Sequence, residues 1–511
     1  MTHPVIGWER ETPVPNHVFN DYLSARDGRL FFEDLDLAQL FIGPPAPPIL
    51  GGTHVGGVSD AESSERPPAW PGGVYSAGQV LPSPLEFVYL PKIRAKIEQM
   101  RQVFADVIAQ VGYAGRFHYA YATKANTAEE VVRTALGAGA HYEMSSWIDV
   151  EIVQLLKAAG HLPPERMVIA NGFKVAGMAY TDSLVRLKAR HDNLIPVVED
   201  RAELPPLIES GLPFDVGLRQ KSYGHHQTGE EMEAANSRFG MKLADLWQAA
   251  EAIAAAPNLR LKLYHAMIGS QITSERDFVA GLRPTIEIYA RLRQRHPDLS
   301  IFDYGGGVPV AMTLDFRFDY RAFARLLLTT LQEVCARHDV PVPDVVGEMG
   351  RYTVAEHGAH FFKVVTVKDN GSALPWYLID GSIMTSFPDT WALSEHFIVL
   401  PLNHLDKPFQ RVQLGGITCD SDDVYPPKPS SSPLYLPVNT ENLYVGFFCI
   451  GAYQEMLGGV RGSKHCVLPE AVELIVDRDD DGQYQFRIIP GQTAPDVMRN
   501  LGYSVPKDMV W

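Results

Sequence analysis

One lysine stands where a reactive amine belongs. In Phe117-His118-Tyr119-Ala120-Tyr121-Ala122-Thr123-Lys124-Ala125-Asn126-Thr127 a short, mostly apolar run delivers Lys124 to its C-terminal end, and a helical pattern starts at once. Val131, Val132, Ala135 and Leu136 form an apolar stripe at helical spacing, and Thr127 with Glu130 has the spacing of a capping box. An amine at the C-terminal end of a barrel strand lies on the face that carries chemistry. Lys124 is also one of 45 Lys and Arg residues, and for any one of these a solvated surface position is the plainer reading.

Other groups recur at the ends of apolar runs. These are Glu143-Met144-Ser145-Ser146, Ile268-Gly269-Ser270-Gln271, Gly305-Gly306-Gly307 and Glu348-Met349-Gly350-Arg351. A glycine-rich turn with a serine beside it lets backbone N–H groups approach a phosphate closely. Taken alone, three glycines fit a tight turn equally well. An amine, a phosphate cradle and one buried carboxylate are together what pyridoxal phosphate requires. The amine carries the cofactor, the cradle anchors it, and the carboxylate keeps its pyridine nitrogen protonated.

The elements that would position these groups begin at about residue 86. Eight short apolar strands are centred near Tyr119, Tyr142, Val168, Pro196, Val216, Leu263, Phe302 and Val346, with helical-period segments between them, clearest over Ile148–Ala159 and Phe278–Leu292. That is the arithmetic of a closed (β/α)8 barrel. An open doubly wound sheet is the alternative, but its dinucleotide fingerprint is missing. After about 360 the period changes to two, over Phe361–Lys368, Leu443–Cys449 and a hairpin of Val472–Val476 with Tyr484–Ile489 turning at Asp481-Gly482. The expected fold is α/β. It comprises a TIM-like barrel over 86–360, a second antiparallel β-rich domain over 361–511, and an N-terminal arm over 1–85 that packs with the β domain. The arm reads as irregular, with a short amphipathic piece around Leu30–Phe41 and a Pro/Gly-rich stretch from Gly43 to Gly73.

Composition narrows the partners. With 46% hydrophobic residues the chain is globular, and 61 acidic against 45 basic side chains oppose binding to nucleic acid or an anionic membrane. No apolar window is long enough to span a bilayer, and Met1–Glu11 carry no apolar signal region. Cys335, Cys419, Cys449 and Cys466 make neither a disulfide framework nor a zinc pattern, so the expected setting is the cytoplasm. No metal is expected. Asp477-x-Asp479-x-Asp481-Gly482 has Ile488 where a calcium loop needs glutamate, and His357-x-x-His360 has no third ligand.

The ordered blocks Tyr121-Ala-Thr-Lys-Ala-Asn126, Gly269-Ser-Gln271, Gly305-Gly-Gly307, Glu348-Met-Gly-Arg351, Thr418-Cys-Asp-Ser-Asp422 and Gly451-Ala-Tyr453 resemble the fold-type III pyridoxal-phosphate enzymes, the ornithine, diaminopimelate and arginine decarboxylase group with the alanine racemase-like fold. Ser386-Phe-Pro-Asp-Thr-Trp-Ala392, Pro401-Leu-Asn-His-Leu405, Ile450-Gly-Ala-Tyr-Gln-Glu-Met-Leu457 and Ser237-Arg-Phe-Gly240 are most similar to the biosynthetic arginine decarboxylase branch. The resemblance implies that Lys124 carries the cofactor, Glu348 faces its pyridine nitrogen and Glu143 stands near the lysine. It implies that Ser270, Gly305, Gly306, Gly307, Arg351 and Tyr453 surround the phosphate. Cys419 would return a proton to Cα from the neighbouring subunit of a homodimer, and Asp420 and Asp422 would meet the distal cation of a basic amino-acid substrate. A solvated acidic turn is the alternative reading for Asp420, Asp422 and Asp423.

Two stretches depart from the pattern. Where the family has a histidine stacked on the cofactor ring, His265-Ala-Met-Ile-Gly-Ser270 places Met267, which can pack on a ring but carries neither proton nor charge. His265, matching the family's first histidine, reads as structural. The loop Gln220–Glu233, with His225 and His226, also differs from the arginine branch. A decarboxylase acting on arginine or a close relative is the first reading. A racemase, or an enzyme for a modified amino acid, is the second, and a non-catalytic cofactor-binding homologue the third.

Overall fold

The computed structural model describes residues 11–42, 73–74, 80–221, 237–427, 433–462 and 464–506. They fall into two compact units, one comprising 93–310 and 317–353, the other 1–92, 311–316 and 354–511.

The first unit is a closed parallel barrel. Its strands are β1 Phe117–Ala122, β2 His141–Met144, β3 Val168–Ala170, β4 Leu194–Val198, β5 Phe214–Gln220, β6 Leu259–Ala266, β7 Ile301–Asp303 and β8 Asp344–Met349, with β8 pairing β1 to close the ring. Each expected strand centre lies in one of them. Parallel strands covered on both faces read as unbroken apolar runs, and β4 is buried at all five positions. Ala120, Met167, Ile169, Ile195, Val197, Leu263, Ile301 and Val346 fill the interior, so the barrel is a packed core and not a channel. A Cβ on Gly217 would stand 2.9 Å from Leu263, which explains the bare backbone at that interior position.

Helix starts follow capping chemistry. Ser146 and Asp149 form a reciprocal box on Trp147–Ala158, Ser274 caps Glu275–Arg295, and Asp319 caps Tyr320–Arg337. The box expected from Thr127 and Glu130 does not form. The helix after β1 runs Glu129–Gly137 with Ala128 at its N-cap, the Thr127 hydroxyl turns back to Thr123 O (2.9 Å), and Asn126 accepts from the Ala128 N–H instead (3.0 Å).

In the second unit the central strand Gly358–Lys368 pairs antiparallel with Leu85–Tyr89, Trp376–Ile379 and Tyr444–Phe448. The hairpin of Val472–Arg478 and Tyr484–Ile489 turns on Gly482 at φ +76°, and Asp479 accepts the N–H groups of Asp481 and Gln483, the hydrogen bonding of a tight turn. Val472–Arg478 joins Leu85–Tyr89 in parallel, as does Phe409–Gly415 with Trp376–Ile379, so the sheet is mixed.

The arm is more regular than its sequence suggests. His17–Val18, Leu23–Arg26, Arg29–Phe32 and Leu35–Asp36 form a four-stranded antiparallel sheet, followed by a short helix Gln39–Ile42. Asp27-Gly28, at φ +48° and +78°, is the two-residue primed turn that matches strand twist. Phe32 packs its ring 4.9 Å from Tyr22 and 5.5 Å from Phe87, anchoring the small sheet on Leu85–Tyr89. The Pro/Gly-rich stretch up to Gly72, and His225 and His226, lie outside the described residues. Among the described residues no helix is long and apolar enough to cross a membrane.

Candidate functional site

The C-terminal ends of the barrel strands gather the groups with chemistry. Lys124 sits on the single turn Thr123–Ala125 that follows β1. That turn is tied down on both sides. The Thr123 hydroxyl lies 3.0 Å from Glu143 O and 3.1 Å from Asp149 Oδ1, and the Tyr121 hydroxyl donates to Asn126 O at 2.5 Å. Asp149 is itself fixed by the Ser145 and Ser146 N–H groups at the start of its helix. The lysine is therefore presented from a rigid turn, as a precise site requires.

Glu143 on β2, Asp303 ending β7 and Glu348 on β8 are buried carboxyl groups at the same end of the barrel. The Asn171 side chain, just past β3, bridges two of them, donating to Glu143 Oε1 and Glu348 Oε1 at 2.7 Å each. His265 Nε2 lies 3.4 Å from Glu348 Oε2, and Asp303 Oδ1 accepts the Gly305 N–H at 2.8 Å. His265, Asp303 and Glu348 each offer an atom within 4.8 Å of the others, a spacing that could hold a cation.

These neighbours give the carboxyls opposite tendencies. Burial alone would raise Glu348, but His265 above all, then Lys124 and the Asn171 amide, hold it down at about 2. Burial and then the Glu348 charge push Glu143 up to about 7, against the pull of Lys124 and Asn171. Burial and Glu348 likewise hold Asp303 well above the usual carboxylate range. The site thus pairs a fixed anion with two carboxyls that keep their protons more readily. Glu143 Oε2, Asn171 Oδ1, Asp303 Oδ2 and His265 Nδ1 are buried without a hydrogen-bond partner, the signature of a site that receives a polar ligand.

The glycine turn is required by close approach. A Cβ on Gly305 (φ +70°) would stand 2.9 Å from Met267 Sδ and 3.0 Å from His265 Nε2, and one on Gly307 (φ +97°) would stand 2.6 Å from Gly269 O. Met267 therefore lies against this turn. Ile272 N–H donates to Gly307 O at 3.1 Å, and Gln271 holds Val310 through both of its amide ends, so the loop carrying Ser270 is fastened to the glycines. Arg351 opens the short helix Arg351–Val354 directly after β8. Lys124, Glu143, Met267, Gly305, Gly306, Gly307 and Glu348 are brought together at this end of the barrel, with Ser270 on the loop after β6 and Arg351 on the short helix after β8. A bare-backbone cradle, an amine and a fixed buried anion fit pyridoxal phosphate.

Cys419, Asp420, Asp422 and Tyr453 belong to the other unit. Cys419 is exposed on the turn after Phe409–Gly415, and Asp420 and Asp422 follow it, with Asp422 N–H donating to Asp420 Oδ1 at 2.9 Å. Asp423 is no solvated turn residue. It is 2% exposed and accepts from Thr418 N, Thr418 Oγ1, Ser382 Oγ and Met384 N at 3.0, 2.7, 3.1 and 3.0 Å. It organises the whole turn. Asp423→Ala is expected to lower stability by about 2–4 kcal/mol, because four donors lose a charged acceptor; urea unfolding checks this, and an unchanged midpoint would mean the donors find other partners. Tyr453 adopts φ +70°, ψ −35°, an uncommon backbone for a bulky residue and of the kind found at functional positions.

Asn171 and Asp303 are the site residues that the sequence did not single out. Asn171-Gly172 reads as a turn, and Asp303 reads as the end of an apolar strand, although its place two residues before Gly305 was a usable signal. The Asn171 loop is stapled by Lys174, wholly buried 3.0 Å from Glu203, and by Glu199, which accepts the Gly172 and Gly240 N–H groups at 3.2 Å each. Asn171→Leu should lower the stability of cofactor-free protein by about 2–4 kcal/mol at pH 8, where Glu143 and Glu348 would repel without their shared donor. Glu143, with its pKa raised to about 7, is buried and ionised at pH 8 at a cost that protonation relieves as pH falls through about 7, and that cost grows in the variant, which lacks the Asn171 donor. The deficit should therefore narrow on acidification, and urea unfolding at pH 8 and pH 5 measures it.

A model of the family described as pyridoxal-dependent decarboxylase, pyridoxal binding domain, matches residues 90–355. The biosynthetic arginine decarboxylase of Deinococcus radiodurans is 23% identical over 97% of this chain and 92% of its own length. Among solved structures, the biosynthetic arginine decarboxylase from Campylobacter jejuni superposes with a TM-score of 0.70 at 22% identity, covering 82% of this chain and 85% of that one. Diaminopimelate decarboxylase from M. jannaschii in complex with L-lysine gives 0.74 at 17% identity, covering 96% and 99%.

Proposed function

The chain belongs to the pyridoxal-dependent decarboxylase family, and from that premise we propose that it removes the α-carboxylate of a basic amino acid, arginine or a close relative, releasing carbon dioxide and the amine. The observation that carries this reading is the pairing of Lys124 with an ionised Glu348, held by His265 and Asn171 beside a glycine cradle. Pyridoxal phosphate, when bound, supplies the electron sink for the pair released from the Cα–carboxylate bond.

The chain's own groups do the rest. Lys124 offers the amine that holds the cofactor. Glu143, inclined to keep its proton and close enough to feel the Lys124 charge, is suited to moving a proton at Lys124 Nζ. Glu348 remains an anion where the pyridine nitrogen needs one. Gly305, Gly306 and Gly307 with Ser270, Arg351 and Tyr453 take the phosphate, and Met267 covers the ring with an apolar surface. Cys419 holds the proton that Cα receives. Its thiol is raised above the ordinary value by the hydrogen bond and charge of neighbouring Cys466, which keeps the proton on sulfur. Asp420 and Asp422 supply charge-assisted acceptors for a guanidinium or ammonium.

The names of the relatives favour arginine. We place two copies in the working enzyme. In support, Trp391, Leu393 and Leu457 are 49, 66 and 61% exposed on helices that pack together in the second unit, apolar surface of the kind an interface covers. The test offers purified protein L-arginine, L-ornithine, L-lysine and diaminopimelate separately and measures carbon dioxide and the amine. Agmatine from arginine is expected. Turnover confined to ornithine or diaminopimelate would move the assignment elsewhere in the family, and a shifted cofactor spectrum without carbon dioxide would favour the reading in which Met267 marks a changed reaction.

A further inference from the structure

Cys466 lies 47 residues beyond Cys419, yet the two sulfur atoms are 3.7 Å apart. Both thiols are free and exposed, whereas Cys335 and Cys449 are buried. The two segments are also held together beside the sulfurs. His465, next to Cys466, places Nε2 3.5 Å from Oδ2 of Asp420, the residue after Cys419. Cys466 sits in the single turn His465–Val467 at φ +55°, and the preceding Lys464 pairs with Glu470 at 3.5 Å. On the other side Asp423 fixes the Cys419 turn through Thr418. The juxtaposition is thus built from both flanks. A disulfide needs about 2.05 Å between sulfurs, so closing it asks each side chain for a rotation and a small approach.

We propose that Cys419 and Cys466 form a reversible intrachain disulfide, a modification site for low-molecular-weight disulfides. A thiolate of the pair attacks one sulfur of R–S–S–R, forming a mixed disulfide and releasing R–S⁻. The second thiol gives up its proton and attacks the protein sulfur of that mixed disulfide, releasing the second R–S⁻. Two protein thiols lose two electrons and two protons, and the reagent, gaining both, leaves as two R–SH. The functional consequence rests on the reading of Cys419 given above: a sulfur bound in a disulfide has no proton to return to Cα. An amino-acid substrate must reach Cys419 for that role, and a small disulfide uses the same access.

The test treats the complete, cofactor-loaded protein with oxidised glutathione, blocks the remaining thiols, digests, and maps linked peptides by mass spectrometry while following carbon dioxide release. The expected result is a Cys419–Cys466 peptide whose fraction tracks a fall in activity of at least about tenfold, restored by dithiothreitol. Each variant is compared with its own reduced form, and Cys466→Ser should give no linked peptide and should hold glutathione on Cys419 as a stable adduct, because no second thiol is there to release it. In the parent protein, stable glutathione adducts on either cysteine, or untouched thiols, would overturn the proposal. A linked peptide with undiminished turnover would leave the disulfide standing and remove Cys419 from proton return.

Discussion

Replacing Lys124 with alanine is expected to leave a folded protein that is colourless after dialysis and that decarboxylates more than about 10⁴-fold more slowly. The turn carrying Lys124 is held by the Thr123 and Tyr121 hydroxyls, so its backbone should stay in place. What goes is the amine and its positive charge beside Glu143 and Glu348. The measurement is the visible spectrum before and after dialysis together with single-turnover carbon dioxide release. A variant that stays yellow and active would show that another amine carries the cofactor.

Cys419→Ala is the second large effect. With the proton donor removed, turnover should fall by about 10²–10³-fold, while cofactor retention and colour stay as in the parent, because the thiol is not among the groups assigned to hold the cofactor. Cys419→Ser should recover little, since a hydroxyl holds its proton far more tightly than a thiol. The informative readout is the product. If Cys419 returns the proton, the slowed enzyme should accumulate products of protonation elsewhere than Cα, detectable as an aldehyde from the decarboxylated substrate. A slow enzyme giving only the amine would point to a different donor.

The barrel was legible in the sequence because parallel strands covered on both faces leave unbroken apolar runs, and every expected strand centre falls in a strand. The arm was harder to read. Its strands are two to four residues long, too short for alternation to stand out, and the primed turn at Asp27-Gly28 was the one strong signal. At the site, motif spacing carried Lys124 and the glycine turn, whereas Asn171 and Asp303 depend on register across the barrel. Asn171 reaches Glu348, 177 positions along the chain, and nothing in either neighbourhood announces the other. Asp423 shows the opposite failure: its acidic context suggests a substrate-facing or a solvated residue, and the fold instead buries it under four donors. The contact of Cys419 with Cys466 belongs to the same class, since two widely spaced thiols form no motif until the chain brings them together.

The most direct test of decarboxylation against the alternative that Met267 raises is turnover of L-arginine in deuterium oxide, with carbon dioxide, amine and recovered amino acid all analysed by mass spectrometry. A decarboxylase with a proton donor at Cα should give one carbon dioxide for each agmatine, a single deuterium on the carbon that lost its carboxylate, and recovered arginine without deuterium. Deuterium accumulating at Cα of recovered arginine, with no carbon dioxide released, would contradict it and assign the site to racemisation.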